Sequence, residues 1–375
     1  MNIVVITTGL NMGGAETMLL HMVKEWLTKD LKVIVFSLSS NCYLDEKFIA
    51  LGVEVKNYDI KNFSNFILGL YKLCKDLRAV RPQIVQTWMP HADLVGGIVA
   101  RLFLSAKIFW GCHHADLSLK TLKYSTLAVV RINAVLSYFV PDSIIAVSKH
   151  VETQLLDFGF DKRKLNVIEN GIDCSYFKKI ENARVKLVDE LKISGNPAII
   201  GFVGRYSFEK RPEDFLQLAA MMSKGVDRFH FLMVGDGNDY KNTELLDLIA
   251  SYKLGGSISL LGVRDDMPLI LSSLDVLVST SVDEAFGLVL IEGLACGCPC
   301  VSSNNNGATS IGGRFIRYAE TGNIIEFLQE TKLVLSQNAN ERALRGQESA
   351  AFVGSKYSIE KTATRYINLY NSTPI

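Results

Sequence analysis

Short apolar runs alternate with stretches of helical period over nearly the whole chain. Asn2–Thr7 reads as a strand, Thr8–Gly14 as a loop and Ala15 to about Thr28 as a helix. Lys32–Leu38 supplies a second strand, so the chain opens as a βαβ unit. Val53–Tyr58, Ile84–Thr87, Lys107–Gly111, Ser143–Val147 and Leu165–Ile168 continue the strands. Helices are predicted over Phe63–Val80, which Pro82 stops, and beyond Asp93 to about Phe103. The alternation pauses near Asn170-Gly171-Ile172-Asp173, and Phe177–Asn196 reads as a charged helical connector. A second series follows, with strands over Ala198–Val203, Phe229–Val234, Ile258–Leu261, Asp275–Ser279 and Pro299–Ser302. Pro212 at a first helical position, followed by Glu213 and Asp214, starts one of its helices. Ser358–Asn371 is an amphipathic helix with Ile359, Ala363, Tyr366, Ile367 and Tyr370 on its apolar side.

Strands that alternate with helices predict parallel sheets with right-handed crossovers. The expected fold class is therefore α/β, with two Rossmann-like domains facing across a cleft, 1–177 and 178–356. Ligands bind beyond the carboxyl ends of such strands, where Gly13-Gly14, His91, His113 and His114 fall. The first loop lacks the glycine spacing of a dinucleotide fingerprint, which disfavours a nicotinamide site. Gly13-Gly14 serves either a tight turn or the close approach of backbone to a phosphate.

Composition narrows the picture. The 375 residues are 48% hydrophobic and 21% charged, as in ordinary globular proteins. A net charge of +1 gives no global reason to expect nucleic acid. Seven cysteines without a regular framework fit a reducing compartment and a cytoplasmic location. Cys296, Cys298 and Cys300 alternate, but beside Pro299 they read as small buried hydrophobes rather than thiolate ligands. Met1–Thr8 leads straight into a core strand, so no cleavable leader is expected. The uncharged run Gly293–Gly313 is too rich in Ser, Asn and Gly to span a membrane. Leu117–Val140 is apolar nearly all round, carries Lys120, Lys123 and Arg131, and has no acid of its own. A helix packed on the sheet with a basic edge is the first reading. A membrane-surface helix touching anionic lipid or a lipid-linked substrate is the second.

The richest chemistry lies in Asp283–Pro299, where Glu284 and Glu292 flank an apolar run that Gly297 and Pro299 close. Glu284 is expected in a loop and Glu292 on the second turn of a helix. Between them the amides of Gly287, Leu288 and Val289 offer an anion site. The alternative is a buried helix with one capping acid. Arg205 and Lys210 follow a strand in the same half, and together they suit a diphosphate. No Asp-x-Asp triplet, ligand-spaced His/Cys set, Gly-x-Ser-x-Gly elbow or Walker pattern occurs, so no metal or other cofactor is expected.

These motifs, in this order, resemble a retaining glycosyltransferase of family 4 with the two-Rossmann-domain GT-B architecture. The specific marks are Glu284 to Glu292 with its following Gly-Leu-Ala-Cys-Gly-Cys-Pro, and Val203-Gly204-Arg205 with Glu209-Lys210. Gly13-Gly14-Ala15-Glu16 and Asn170-Gly171-Ile172-Asp173 match two further family segments. The runs Thr87–Leu94 and Trp110–Leu117 resemble bacterial surface-polysaccharide enzymes. The resemblance implies that Arg205 and Lys210 bind the donor diphosphate, Glu284 the transferring sugar and Glu292 the nucleotide ribose. It gives the amides of Phe286, Gly287, Leu288 and Val289 the sugar hydroxyls and phosphate, and lets Gly14 close over the diphosphate. The base belongs near Gly262-Val263-Arg264. One histidine after Lys107–Gly111, His113 or His114 with His114 preferred, meets the sugar. On the acceptor side Glu16 and His91 are candidates. The last helix, 357–375, is expected to cross back to the first domain.

The departures are Glu169 in place of the usual Pro, and an Asn-rich Ser303–Gly313 lacking the acid often found there. The implied activity is transfer from a nucleotide-sugar donor, UDP-linked, to a saccharide or lipid-linked acceptor, with retention and without metal. It would take place at the inner face of the plasma membrane. The rivals are a nucleotide-sugar 2-epimerase and a non-catalytic carbohydrate-binding protein.

Overall fold

The computed structural model describes residues 1–11, 13–40, 42–60, 65–113, 124–225 and 228–373. Its contacts divide the chain into two units, Met1–Gly171 with Ile359–Ile375, and Ile172–Ser358.

The first unit holds seven strands: β1 (Asn2–Thr7), β2 (Lys32–Ser37), β3 (Glu54–Asn57), β4 (Ile84–Trp88), β5 (Lys107–Cys112), β6 (Ser143–Ala146) and β7 (Leu165–Val167). They form one parallel sheet in the order β3-β2-β1-β4-β5-β6-β7. Every residue of β4 and all but the first of β1 are buried, as strands covered on both faces must be. The helices are α1 (Gly14–Thr28), α2 (Asp45–Ala50), α3 (Phe66–Val80), α4 (Pro90–Phe103), α5 (Tyr124–Leu136) and α6 (Lys149–Asp157).

The second unit contains β8 (Ala198–Val203), β9 (Phe229–Val234), β10 (Ile258–Gly262), β11 (Val276–Ser279), β12 (Cys300–Ser303) and β13 (Ile316–Ala319). Its sheet is also parallel, in the order β10-β9-β8-β11-β12-β13. Its helices are α7 (Ala183–Leu191), α8 (Pro212–Met222), α9 (Thr243–Ser251), α10 (Met267–Ser273), α11 (Leu288–Ala295), α12 (Asn306–Gly312), α13 (Ile324–Leu335) and α14 (Ala339–Lys356). Phe202, Phe215, Phe231 and Val276 centre its core. In each sheet the strand order reverses beside the first strand, between β1 and β4 and between β8 and β11. Those are the places where doubly wound sheets open a crevice for ligand.

The last helix, α15 (Ile359–Ser372), belongs to the first unit, as expected. Tyr366 meets Trp26 of α1 edge-on at 5.9 Å, and Tyr370 meets Phe109 of β5 at 4.7 Å. The Tyr370 hydroxyl donates to Gln86 Oε1 at 2.8 Å, so a buried polar pair anchors the helix on β4.

The two α/β sheets agree with the sequence pattern, and strand ends shift by a residue or so as hydrogen bonding decides. Three elements carry too little apolar signal to read from sequence. β13 buries only Ile316 and Ala319, α13 is amphipathic but follows no clear strand, and α14 buries only Ser349 and Val353. An Asn338–Glu341 capping box starts α14 instead of an apolar stripe. The connector Phe177–Asn196 contains α7, whose Ala183 and Leu187 are buried in the second unit. Of the 117–140 segment, 117–123 lies outside the described residues and 124–136 is α5. Among the described residues no helix is long and apolar enough to cross a membrane.

Candidate functional site

The reversal between β8 and β11 brings two loops together, one after Val203 and one after Ser279. Lys210 Nζ lies 2.6 Å from Glu284 Oε1, and the Ser281 hydroxyl donates to the same oxygen at 2.7 Å. Both bonds end on Oε1, so Oε2 keeps its capacity to accept. Lys210 has three ammonium hydrogens and can hold an anion while keeping Glu284. The backbones are tied as well. Thr280 Oγ1 donates to the carbonyls of Lys210 and Arg211 at 2.9 and 2.8 Å, and the Val282 amide donates to Glu209 O at 2.8 Å.

The Asn-rich segment closes the far side of the Glu284 loop. Asn305 donates to Ser281 O at 3.1 Å and caps α12 through the Ala308 amide. A Cβ at Gly307 would collide with the Glu284 carbonyl, so only glycine allows that approach. Arg205 is exposed on the neighbouring loop. Burial tends to raise the Glu209 carboxyl, but the Ser207 hydroxyl and the charges of Arg205 and Lys210 hold it below its ordinary value.

Glu284 is thus in a loop, only 8% exposed, and Glu292 is on the second turn of α11. Gly287 caps that helix with φ at +86°, a conformation that glycine takes without strain. The Leu288 and Val289 amides precede the helix's own hydrogen-bond ladder. Phe286 turns inward and packs edge-on against Tyr357 at 5.6 Å, so its contribution to a ligand is limited to backbone. Glu292 is half-buried, and burial pushes its carboxyl up to about 7. Beyond β10, Val263 is 41% exposed. Arg264 is committed elsewhere, to Glu190 at 2.6 Å and Asp266 at 2.7 Å. Cys296, Cys298 and Cys300 are buried and unpaired, and burial raises all three thiols, as packing residues require.

The other reversal, at the ends of β1 and β4, is built from rings. His113 is buried and stacks on Trp88 at 3.8 Å, and Trp88 Nε1 donates to Ala15 O at 2.9 Å. Met89 has φ +83° and ψ 154°, a conformation that costs a non-glycine residue about 1–3 kcal/mol. Its amide bonds Gly111 O at 3.1 Å, and Pro90 then starts α4. Beneath lies Asp93, 1% exposed, which accepts from Thr87 Oγ1 at 2.5 Å. Burial drives its carboxyl well above the usual range, against the Thr87 hydroxyl and the Gly111 amide. Gly14 is the first residue of α1 and Glu16 lies in its first turn, beside Gly13. His91 is the second residue of α4. His114 lies outside the described residues.

Of the residues singled out in sequence, Lys210 and Glu284 touch directly, and Arg205, Val263, Phe286–Val289 and Glu292 occupy the same unit. Sequence reasoning missed Thr280, Ser281, Asn305 and Gly307 around Glu284, and Asp93 beneath Trp88. Their position directly after predicted strands was the available signal.

Residues 12–176 match the family model described as Glycosyltransferase Family 4, and residues 184–345 the model described as Glycosyl transferases group 1. The chain is 24% identical over 234 residues to the N-acetyl-alpha-D-glucosaminyl L-malate synthase of Bacillus anthracis. That match covers 61% of the chain and 59% of that relative. It is 25% identical to the N,N'-diacetylbacillosaminyl-diphospho-undecaprenol alpha-1,3-N-acetylgalactosaminyltransferase of Campylobacter jejuni, over 92% of each protein. A crystal structure of Anabaena HepE in complex with UDP and glucose superposes with a TM-score of 0.86 at 19% identity, covering 99% of this chain and 100% of that one. The fold is the GT-B architecture of two Rossmann-like domains.

Proposed function

Since the chain belongs to glycosyltransferase family 4, we propose that it moves a sugar from a UDP-linked donor to a hydroxyl of a saccharide or lipid-linked oligosaccharide in surface-polysaccharide synthesis. The observation that carries this reading is the Lys210–Glu284 pair, 2.6 Å apart at the reversal point of the second sheet. Lys210 and Arg205 hold the diphosphate, and their fixed charge stabilises the negative charge that grows on it as the sugar leaves. That task needs no metal. The α11 amides at Leu288 and Val289 add further donors. Glu284 Oε2 accepts from a sugar hydroxyl, with Oε1 fixed by Lys210 and Ser281. Glu292 takes the ribose, and Val263 lies beside the base. Glycosidases that retain configuration set a carboxylate nucleophile opposite their acid. Here both acids have donor-binding tasks, so the sugar is transferred on the face it leaves. The departing phosphate oxygen takes the acceptor proton and configuration is retained. In the first unit Gly14 is the candidate for the donor diphosphate, His113 or His114 the candidate for the transferring sugar, and Glu16 and His91 are the acceptor-side candidates.

The Campylobacter relative's lipid-diphosphate acceptor and the UDP held by HepE support the acceptor and donor classes. Seven cysteines, all unpaired, suit the reducing cytoplasm. The test is incubation with a panel of UDP- and GDP-sugars and a lipid-linked saccharide acceptor, with and without EDTA. Expected are a rise in melting temperature with UDP-sugars, UDP release that EDTA leaves unchanged, and a product whose anomeric proton keeps the donor's configuration. Sugar epimerised at C2 without acceptor would replace this reading with an epimerase. No response to any donor would replace it with a binding protein.

A further inference from the structure

Lys210 and Arg205 are anchored differently. Lys210 is fixed at its side chain by Glu284 and at its carbonyl by Thr280. The Arg205 guanidinium is exposed and makes no hydrogen bond or ion pair among the described residues. Where it can reach is therefore set by the backbone on either side of it. That backbone is braced from the loop after β9. The Gly204 amide donates to Val234 O at 2.9 Å, and the Tyr206 amide to Asp236 O at 2.8 Å. The third brace is a side chain. Asn238 Nδ2 donates to Gly204 O at 2.7 Å, and Val234 O at 3.4 Å takes its other hydrogen. Gly235 makes room for this approach, since a Cβ there would collide with Gly204 O.

Asn238 is itself held by its neighbours. Its amide donates to Gly235 O at 3.0 Å, and its carbonyl accepts from the Gly262 amide, at the end of β10, at 2.8 Å. The Gly235 amide donates to Gly262 O at 2.7 Å, and Asn242, which caps α9, donates to Gly237 O at 2.8 Å. The end of β10 and the start of α9 thus hold Asn238, and Asn238 holds the peptide group that joins Gly204 to Arg205. The residue is fully buried, yet its Oδ1 has no hydrogen-bond partner among the described residues. A buried acceptor left unpaired costs about as much as two such bonds return, so the side chain adds little to stability. What it secures is direction, because the plane of that peptide fixes where the Arg205 side chain sets out.

We infer that Asn238 is the positioning residue of Arg205, and so of the diphosphate that Arg205 holds in the function proposed above, on which this inference rests. The experiment is titration calorimetry of UDP into the full chain, for wild type, Asn238→Leu, Arg205→Ala and the double variant, with melting curves to confirm folding. Asn238→Leu keeps the branched shape and removes the donor. It is expected to lose about ten-fold in UDP affinity, and Arg205→Ala at least as much. Added to Arg205→Ala, Asn238→Leu costs less than about two-fold more. A residue that merely supports the fold would weaken binding equally in both backgrounds. Asn238→Ala, which leaves a small void in place of methyl groups against carbonyls, runs the same cycle if the Leu variant does not fold. The inference is overturned by equal losses in the two backgrounds, or by Asn238 variants that bind UDP like the wild type. Arg205→Ala that binds UDP fully would overturn the proposed role of Arg205, and the inference with it. Failure of the wild type to bind UDP would overturn the UDP-linked donor, and both with it.

Discussion

At the carboxyl edge of β8 and β11 charges are tied to one another: Lys210 to Glu284, Ser281 to the same oxygen, and Thr280 to the Lys210 and Arg211 carbonyls. At the equivalent edge of β1 and β4 ring surfaces meet instead, Trp88 on His113 at 3.8 Å, above a buried carboxyl and a strained Met89. The reversal of strand order is the same at the two edges, but the materials differ. A diphosphate needs cations whose positions are set before it arrives, because reorganising charges during reaction costs energy. A neutral sugar acceptor needs shape, an apolar floor and a few hydrogen-bonding groups. The shared strand order positions a site, and the loop residues decide what it can hold.

The largest effect is expected from the charged edge. Glu284→Gln keeps the shape but removes the charge facing Lys210, and transfer should fall about 100-fold or more with little change in melting temperature. Full transfer activity in this variant would break the assignment of the two edges.

Glu292 sharpens the comparison through pH. Its carboxyl is raised from 4.5 to about 7, so between those values the folded protein holds a proton that the unfolded chain has released. Stability therefore falls as pH rises through this window and levels off above it. Glu292→Gln should stabilise the ligand-free protein by up to about 3 kcal/mol at pH 8, with most of the gain gone near pH 5, while binding UDP-sugar less tightly. Thermal melts at the two pH values, with and without UDP-sugar, check both halves.

Gly307→Ala forces a Cβ against the Glu284 carbonyl. A loss of about 1–3 kcal/mol together with weakened donor binding is expected in denaturant titrations and thermal shifts. Stability loss with donor affinity intact would mean that the Asn-rich segment does not shape the charged edge. The smallest effect belongs to the ring-built unit. Tyr370→Phe leaves Gln86 Oε1 without its donor, at a cost of about 1–2 kcal/mol, and should leave donor affinity untouched.

Much of the fold was legible because parallel strands are buried on both faces and read as apolar runs, as Ile3–Ile6 and Ile199–Phe202 do. β13 and α14 were not, since pairing and a capping box hold them rather than apolar patterning. In the site, the separate chemistry of Arg205, Lys210, Glu284 and Glu292 was legible from residue type and from their place after strands. The bond between Lys210 and Glu284 was not, because 74 positions separate them. In α5, an apolar residue on each side of the wheel reads the same in sequence whichever side is covered. Folding buries Val130 and leaves Ile132 and Phe139 outside.

The sequence by itself determined the alternating elements, the two parallel sheets and the residue types that the proposed diphosphate site offers. These follow from local periodicity and from motifs read within one loop and helix. Only the tertiary structure decided that Oε1 of Glu284 is occupied and Oε2 free to accept, that the Glu292 carboxyl titrates near 7, and that α5 turns an apolar face outward. Each depends on distance and burial between groups far apart in the chain, which arise only when strand order brings the loops together.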